Sequence, residues 1–258
     1  MQMSSNMDQI ERKRLPLSAR MQAILSMLRR ETLQNGTKIP CVADIGCDHA
    51  FVSMACVRDG IAEHVIAMDV RKGPLSIACD HVKEYGFGKS VETRLSDGFE
   101  ALKSMEADWA ILAGMGGELM KTILQKGNTH LNAGIGLILQ PQSELYTVRT
   151  YLEQQGYKIE DEDFLQEDGK FYTIIKAKKK DGQTTQDRLS VAQLKYGPVL
   201  LEKENVEFWN YLSQELEKVR ALQNRLHKNS TGSSMKRYQE LEEECTILNQ
   251  ILESHNKK

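Results

Sequence analysis

The sequence lacks the marks of an exported, metal-bound or membrane-embedded protein. Its five cysteines are odd in number and form no C-x-x-C pair, so we expect neither a disulfide framework nor a zinc site. The first sixteen residues are polar, and no uninterrupted apolar run is long enough to span a bilayer. These absences predict a cytoplasmic protein that binds no metal and no membrane.

Net charge is nearly absent as well. The formal charge is −2, so the chain cannot bind nucleic acid simply by being basic, although a local basic patch remains open. Residues 1–38 hold seven Lys or Arg against three Asp or Glu. In this segment Lys13, Arg14 and Arg20 are our candidates for contacts with RNA. A second group of lysines is interpreted as a solvated strand end rather than an RNA clamp: Lys176, Lys178, Lys179 and Lys180.

Short apolar runs alternate with helical stretches through the middle of the chain. After a first helix at 18–34 with Ser18 as its N-cap, the runs lie at 41–46, 64–70, 91–98, 109–116 and 136–142. The helices between them are expected at about 49–59, 74–86, 117–126 and 143–155. Continuous apolar strands separated by helices predict a parallel sheet covered on both faces.

The pattern changes after this unit. Residues 157–180 form two predicted strands joined by an Asp-Gly turn, which brings the α/β sheet to seven strands. Residues 181–190 are polar and suit a linker. Apolar residues at heptad-like spacing then predict an antiparallel helical hairpin with a coiled-coil seam, roughly 201–256, with a turn at 227–234. We predict two domains, at 1–180 and 187–258.

The loop DIGCDHA follows the first strand, at the point where open α/β sheets bind ligands. A dinucleotide-binding loop would carry G-x-G-x-x-G to seat a pyrophosphate on the helix N-terminus. This loop has one glycine, Gly46, which would let the backbone approach a ligand, and two flanking acids, Asp44 and Asp48. The acids favour a cationic ligand. S-adenosylmethionine (SAM), with its ammonium and sulfonium, is therefore preferred over NAD, and a seven-strand Rossmann-like sheet is typical of class I methyltransferases.

Further candidate cofactor residues end the next strands. Asp69 can accept both ribose hydroxyls of a nucleoside, and Asp97, followed by Gly98, can accept the adenine amine. Each acid alone could be an ordinary solvated loop residue, but three in register with Gly46 favour a binding site. Ala113 and Gly114 begin the stretch AGMGG, which offers exposed backbone and room for a flat base, or else a tight turn.

The substrate side is marked by four residues. Asp48 is our candidate for stabilising positive charge on a methylated base, and His49 for orienting that base. Asp48 could instead pair with the SAM ammonium, and either residue could cap the following helix. Gln140 and Gln142 end the fifth strand and can present amide groups to a base, or form an ordinary loop.

These motifs together resemble the bacterial tRNA (adenine-22 N1)-methyltransferase family. The resemblance runs from about Leu17 to the end and rests on DIGCDHA, the acid at 69, AGMGG, LILQP, EDGKFY and the helical hairpin. It implies a class I fold, SAM as the methyl donor, tRNA as the substrate and a hairpin that aids tRNA binding. The family usually has serine at Cys47, often glutamate at Asp69, and asparagine at Gln142, whose side chain is one methylene longer than that asparagine.

Three other functions are compatible with parts of the pattern. A class I methyltransferase acting on a small molecule or a protein would share the same cofactor residues. A catalytically silent SAM-binding module could use the hairpin to recruit a partner. An NAD(P) oxidoreductase is disfavoured because the loop lacks the required glycines.

Overall fold

The computed structural model describes residues 14–180, 188–227 and 232–257, and its strands form one seven-stranded sheet. The order is β3-β2-β1-β4-β5-β7-β6, with β7 antiparallel to both of its neighbours and the other pairs parallel. The strands are β1 (Ile39–Ile45), β2 (Ala62–Asp69), β3 (Val91–Leu95), β4 (Trp109–Met115), β5 (Gly136–Pro141), β6 (Tyr157–Glu167) and β7 (Lys170–Lys179). The predicted α/β fold is confirmed.

Helices cover both faces of the sheet. They are α1 (Ala19–Asn35), α2 (Phe51–Arg58), α3 (Lys72–Glu84), α4 (Gly117–Lys126), α5 (Asn128–Asn132), α6 (Leu145–Gln154), α7 (Val191–Tyr196), α8 (Val206–His227) and α9 (Gly232–His255), with a 3-10 turn at Leu200–Glu202. Apolar residues of α1, α2 and α3 fill the core on one face, and those of α4, α5 and α6 fill it on the other. Ser18 caps α1 as predicted, accepting from the Met21 amide at 3.3 Å. Within the described ranges, no helix is long and apolar enough to cross a membrane.

The sequence suggested that Lys176 belongs to a solvated strand end, and for this residue that interpretation is wrong. It is buried against Glu31 of α1, with 2.7 Å between its Nζ and the carboxylate, and Lys178 reaches the same carboxylate at 2.5 Å. Both ammonium groups also lie over the ring of Trp109, at 5.4 and 5.1 Å from its centroid. Lys176 is desolvated because α1 crosses the sheet here, whereas Lys178 stays partly exposed, and both lysines attach that helix to β7.

The helical hairpin is confirmed, with a shorter connection than expected. Arg220 of α8 donates to Asn249 of α9 at 2.7 Å, and Gln223 of α8 accepts a hydrogen bond from the Cys245 thiol of α9 at 3.7 Å. The helices are antiparallel, because the later residue of α8 meets the earlier residue of α9. The predicted turn at 227–234 is too long, because α9 already begins at Gly232; residues 228–231 lie outside the described residues. Phe164 of β6 packs into the base of the seam.

A fully buried ion pair joins the sheet to the chain that follows it. Arg149 of α6 donates from Nε to Glu162 of β6 at 2.8 Å, and both side chains are 0% exposed. Arg149 also donates to the carbonyl oxygens of Leu194 and Lys195 at 3.1 and 2.9 Å, while Glu162 accepts from the Val199 amide at 3.0 Å. The chain around α7 therefore completes the interior of the sheet domain. We propose that the domain boundary lies close to the start of α8 rather than at residue 187.

Replacing Glu31 by Gln should lower the free energy of unfolding by about 3 kcal/mol, because the buried Lys176 would be left with only the more distant Glu160 as an acidic partner. Denaturant unfolding measures this loss. The double variant Glu31→Gln/Lys176→Met should recover most of it, since the buried ammonium is removed and the charges left without a partner, on Lys178 and Glu160, are partly exposed. A double variant no more stable than the single one would contradict this interpretation.

The same pair predicts part of the acid unfolding. Burial raises the pKa of Glu31, but the hydrogen bonds from Lys176 and Lys178 outweigh it and lower the pKa from 4.5 to about 2. A lowered carboxyl pKa stabilises the fold fully above the unfolded value and ceases to do so as pH falls through the folded value. The contribution should therefore disappear between pH 4.5 and about 2, and Glu31→Gln should flatten the stability profile in that window.

Candidate active site

The carboxyl ends of the parallel strands meet along one edge of the sheet. Ile45 is paired with Met68 on one side and Leu112 on the other, Asp69 with Leu95, and Ala113 with Gln140. The register consequently lines up the predicted cofactor positions in one row: Gly46, Asp69, Asp97 and Gly98, then Ala113 and Gly114. Loops at this edge are the usual ligand-binding place of an open α/β sheet.

The loop after β1 is held against β2 by its backbone. The amides of Gly46 and Cys47 both donate to the Met68 carbonyl oxygen, at 2.8 and 2.9 Å. Gly46 has φ +80°, and a Cβ added there would lie 3.2 Å from the Met115 side chain. The sequence had suggested that glycine keeps space for a ligand. The structure adds a left-handed backbone and a close neighbour from β4, and each independently favours glycine.

Neither Asp48 nor His49 caps α2, so that alternative is wrong. The helix begins at Phe51, its N-cap is Ala50, and no side chain caps it. The Asp48 carboxylate is 60% exposed and lies 3.6 Å from His49 Nε2. His49 Nδ1 is buried and has no hydrogen-bond partner in the described part of the chain. Such atoms are rare in folded proteins. Because this nitrogen has almost no accessible surface, a bound molecule could meet it only after the His49 ring turns.

Asp44 gives the site a buried carboxyl group. It accepts a hydrogen bond from the Ser53 hydroxyl at 2.5 Å. Burial raises its pKa; the Ser53 bond opposes this in part, the charge of Asp69 adds to it, and the pKa reaches about 6. A cationic ligand would stabilise the buried negative charge of Asp44 and offset its repulsion by Asp69. These carboxyl groups therefore suit the ammonium and sulfonium of SAM better than a pyrophosphate. Burial also raises the pKa of the Cys47 thiol, which excludes that residue as a thiolate nucleophile at neutral pH.

Arg71 lies in the site, although no motif in the sequence points to it. Asp69 accepts from the Arg71 amide at 2.8 Å through Oδ1, and the Arg71 guanidinium lies 3.5 Å from the same oxygen and 3.9 Å from Asp48. This arginine bridges two of the predicted acids. The only signal was its place two residues beyond Asp69, which is too common a pattern to single it out.

Asp97 forms an ion pair that its position after β3 does not predict. Its Oδ2 pairs with Lys126 Nζ at 2.6 Å, at the far end of α4. The turn that carries it is fixed by Ser96, whose hydroxyl donates to the Gly98 carbonyl at 2.8 Å. Gly98 itself has φ +59°, and a Cβ there would lie 2.9 Å from Ile123.

Gln140 is placed to organise the site rather than to present its amide to a base. It is fully buried, accepts from the Gly114 amide at 3.0 Å and donates to the Pro141 carbonyl at 3.3 Å. Gly114 sits on a β-bulge with φ +76° and faces solvent. Gln142, by contrast, is exposed at the same edge, so it remains the candidate for reading a base.

Glu144, after β5, holds the loop that follows β4, a contact that no motif in the sequence indicates. Glu144 has φ +49°, accepts from the Gly117 amide at 2.9 Å and receives a hydrogen bond from Ser143 at 2.5 Å. A Cβ on Gly117 would lie 2.5 Å from the Ser143 carbonyl oxygen, and one on Gly116 would lie 3.1 Å from the Ser143 hydroxyl. The last two glycines of AGMGG, Gly116 and Gly117, are therefore explained by this close approach of the loops.

The candidate RNA-binding residues fall in different places. Lys13 lies outside the described residues. Arg14 is exposed, and the guanidinium of Arg20 lies 5.1 Å from the centroid of the Tyr172 ring. Because β7 runs antiparallel to β5, Tyr172 near its start is at the carboxyl edge. Arg20 therefore lies on the same edge of the sheet as the predicted cofactor residues.

Comparisons with known proteins agree with this geometry. The family model described as tRNA (adenine(22)-N(1))-methyltransferase matches residues 42–250. The chain belongs to this family. It is 31% identical to the Bacillus subtilis (strain 168) tRNA (adenine(22)-N(1))-methyltransferase over 241 residues, which cover 93% of this chain and 98% of the relative. The resemblance inferred from the motifs is confirmed.

Two solved structures extend the match to the fold and the cofactor. A crystal structure of the Bacillus subtilis m1A22 tRNA methyltransferase aligns with a TM-score of 0.80 at 29% identity, covering 93% of this chain and 100% of that one. A Streptococcus pneumoniae structure in complex with S-adenosyl-L-methionine aligns with a TM-score of 0.76 at 26% identity, covering 92% and 99%. SAM is the cofactor of these methyltransferases, as the acidic loop predicted.

Glu144→Ala should reduce the single-turnover methylation rate by roughly tenfold. Without the hydrogen bond from the Gly117 amide to Glu144, the loop after β4 would no longer be held in position beside the substrate. Glu144→Gln keeps an acceptor for the Gly117 amide and should retain most of the rate. Calorimetry should show SAM affinity unchanged in both variants. Equal rate losses in both would point to the charge rather than to the positioning of the loop.

Proposed function

We propose that this protein transfers a methyl group from SAM to N1 of adenine 22 in tRNA. The observation that carries the proposal is that three acids, Asp44, Asp69 and Asp97, lie at or near the ends of neighbouring strands, on the same edge as the exposed Gly114. The chain that carries them belongs to this family. The relatives named above carry the same activity in their names. A methyltransferase for a small molecule or a protein, and a silent SAM-binding module, are the alternatives that the experiments below must reject.

The cofactor residues divide the ligand between them. The contacts of Asp69 and Asp97 within the protein use Oδ1 and Oδ2 respectively, which leaves the other oxygen of each for a ribose hydroxyl and an adenine amine. Asp44 supplies negative charge below the loop of Gly46. Ala113 and Gly114 line the cofactor with backbone groups. When bound, SAM supplies an electrophilic methyl group on its sulfonium.

The protein's own catalytic work is alignment and electrostatics. Adenine N1 has an in-plane lone pair and no proton, so no general base is needed there. Positive charge moves onto the base during transfer, and the exposed carboxylate of Asp48 can stabilise it. His49 can orient the base through its partly exposed imidazole ring, and Gln142 can contact the edge of the base. The base must leave its stack first, because N1 lies on the pairing edge.

On this proposal, parts of the protein outside the carboxyl edge of the sheet also bind the tRNA. Lys13, Arg14 and Arg20 contribute phosphate contacts from the N-terminal segment, and the α8–α9 hairpin contributes shape and local contacts. tRNA is a cytoplasmic substrate, which agrees with the cysteine usage and supports a cytoplasmic location.

The decisive experiment is incubation with labelled SAM and bulk tRNA, followed by digestion to nucleosides. Label in N1-methyladenosine supports the proposal. Label in another nucleoside would reject the target atom, and an enzyme that methylates a small molecule or protein but leaves tRNA unlabelled would reject the substrate. SAM binding without any methylated product would identify a silent module.

Asp48→Asn keeps the shape of the side chain and removes its charge. If the carboxylate stabilises the methylated base, single-turnover rate should fall by roughly a hundredfold, about 2.7 kcal/mol, with little change in SAM affinity. If it pairs with the SAM ammonium, affinity should fall and the saturated rate should survive. Rate and calorimetric affinity measured on the one variant separate the two roles. A variant with both unchanged would remove Asp48 from the site.

SAM affinity should depend on the ionisation of Asp44. Its pKa of about 6 lies above the 3.8 of an unburied aspartate, so the carboxylate that attracts a cation is present above pH 6 and is lost as pH falls through it. We expect affinity to decrease by up to about tenfold per unit below pH 6. Asp44→Asn should bind SAM more weakly and without this dependence. An identical pH profile in the variant would assign the titration to another group.

A further inference from the structure

A basic pocket lies on the outer side of the helical layer formed by α1 and α2. It has a volume of about 290 Å³ and is lined by the segment before α1, by one face of α1 and by the end of α2. Three arginines come from these three elements: Arg14, Arg29 and Arg58. Asp59 is the single acid among its lining residues. None of these side chains takes part in the site at the carboxyl edge.

Asp59 orients two of the guanidinium groups without saturating them. Arg29 approaches it through Nη2 at 2.9 Å and Arg58 through Nε at 2.7 Å. A guanidinium carries five N–H donors, so each arginine keeps donors for another anion. The hydrogen bond and charge of Arg58, with those of Arg29, lower the pKa of Asp59. The carboxylate thus stays ionised and holds the two forks in place.

Further positive charge surrounds the pocket. Lys38 extends over the turn after α2, where a Cβ on Gly60 would lie 3.7 Å from its Cε. Two arginines therefore contact Asp59, Arg14 lines the same pocket, and Lys38 adds a positive charge near the adjacent turn. In a chain of net charge −2, such a local excess is what attracts a polyanion, because the protein as a whole does not.

We propose that the pocket of Arg14, Arg29 and Arg58 binds a backbone phosphate of the RNA substrate, an inference that rests on the proposed function. Planar guanidinium forks match phosphate oxygens in pairs, which a compact ammonium cannot do. α2 runs from the DIGCDHA loop to Arg58, and its seven-residue rise amounts to about 11 Å. A tRNA with an adenine at the carboxyl edge can therefore reach the pocket with a neighbouring part of its backbone.

Arg29→Gln is the first test, since Arg29 is 48% exposed on the surface of α1 and its loss should leave the fold intact. tRNA affinity, measured by fluorescence anisotropy, should fall about tenfold. The slope of log K against log salt should decrease by about 0.7–0.9, the value for one lost phosphate contact. SAM affinity and the methylation rate at saturating tRNA should stay at the wild-type level. Arg58→Gln, checked for an unchanged melting temperature, should behave alike.

Lys89→Gln is the matched control, because it removes one positive charge from an exposed turn between α3 and β3. It should retain wild-type tRNA affinity and salt slope. Wild-type affinity and slope in both arginine variants, or an equal loss in the lysine control, would overturn the phosphate site while leaving the proposed function standing. A wild-type protein that does not methylate tRNA would instead overturn the proposed function.

Discussion

Parallel pairing of β1 through β5 is the constraint on which the site depends. In such a sheet every carboxyl strand end lies at the same edge, so residues far apart in the chain become neighbours without any contact of their own. Asp69 and Asp97 gain their places in this way, each at the end of a separate strand. The antiparallel β7 then brings Tyr172, and with it Arg20, to the same edge. A shift of register in any one strand would move its residue out of the row.

The loops along this edge are held by contacts between neighbours rather than by the ligand alone. Gln140 holds the Gly114 bulge, Glu144 holds the Gly117 amide, and Met68 holds the loop of Gly46. Each of these contacts uses a backbone amide that a flexible loop would leave to water. The binding edge is therefore largely organised before a cofactor arrives, which reduces the ordering that binding must impose.

The acidic row could be predicted because it follows from local patterns: an apolar strand, a strand end and an acid. The features that could not be predicted, inside the site and outside it, depend on tertiary contacts. Lys176 meets Glu31 across 145 positions, and nothing in a lysine-rich strand end announces a buried partner so distant. Gln140 looked available for a base, but its burial is set by the β4 bulge beside it. Glu144 was overlooked because its left-handed backbone has no signature in sequence.

The buried pair of Arg149 and Glu162 bears on the order in which the molecule can be completed. Both residues are synthesised before the Leu194–Leu200 stretch whose backbone supplies four of their hydrogen bonds. While the chain is still emerging from the ribosome, α6 and β6 would enclose charges with unmet hydrogen bonds, a costly arrangement. The edge of the sheet should thus remain loosely packed until nearly the whole protein is made. A chain that stops before this stretch would leave Arg149 and Glu162 without these hydrogen bonds, at a place in the fold separate from the carboxyl edge of the sheet.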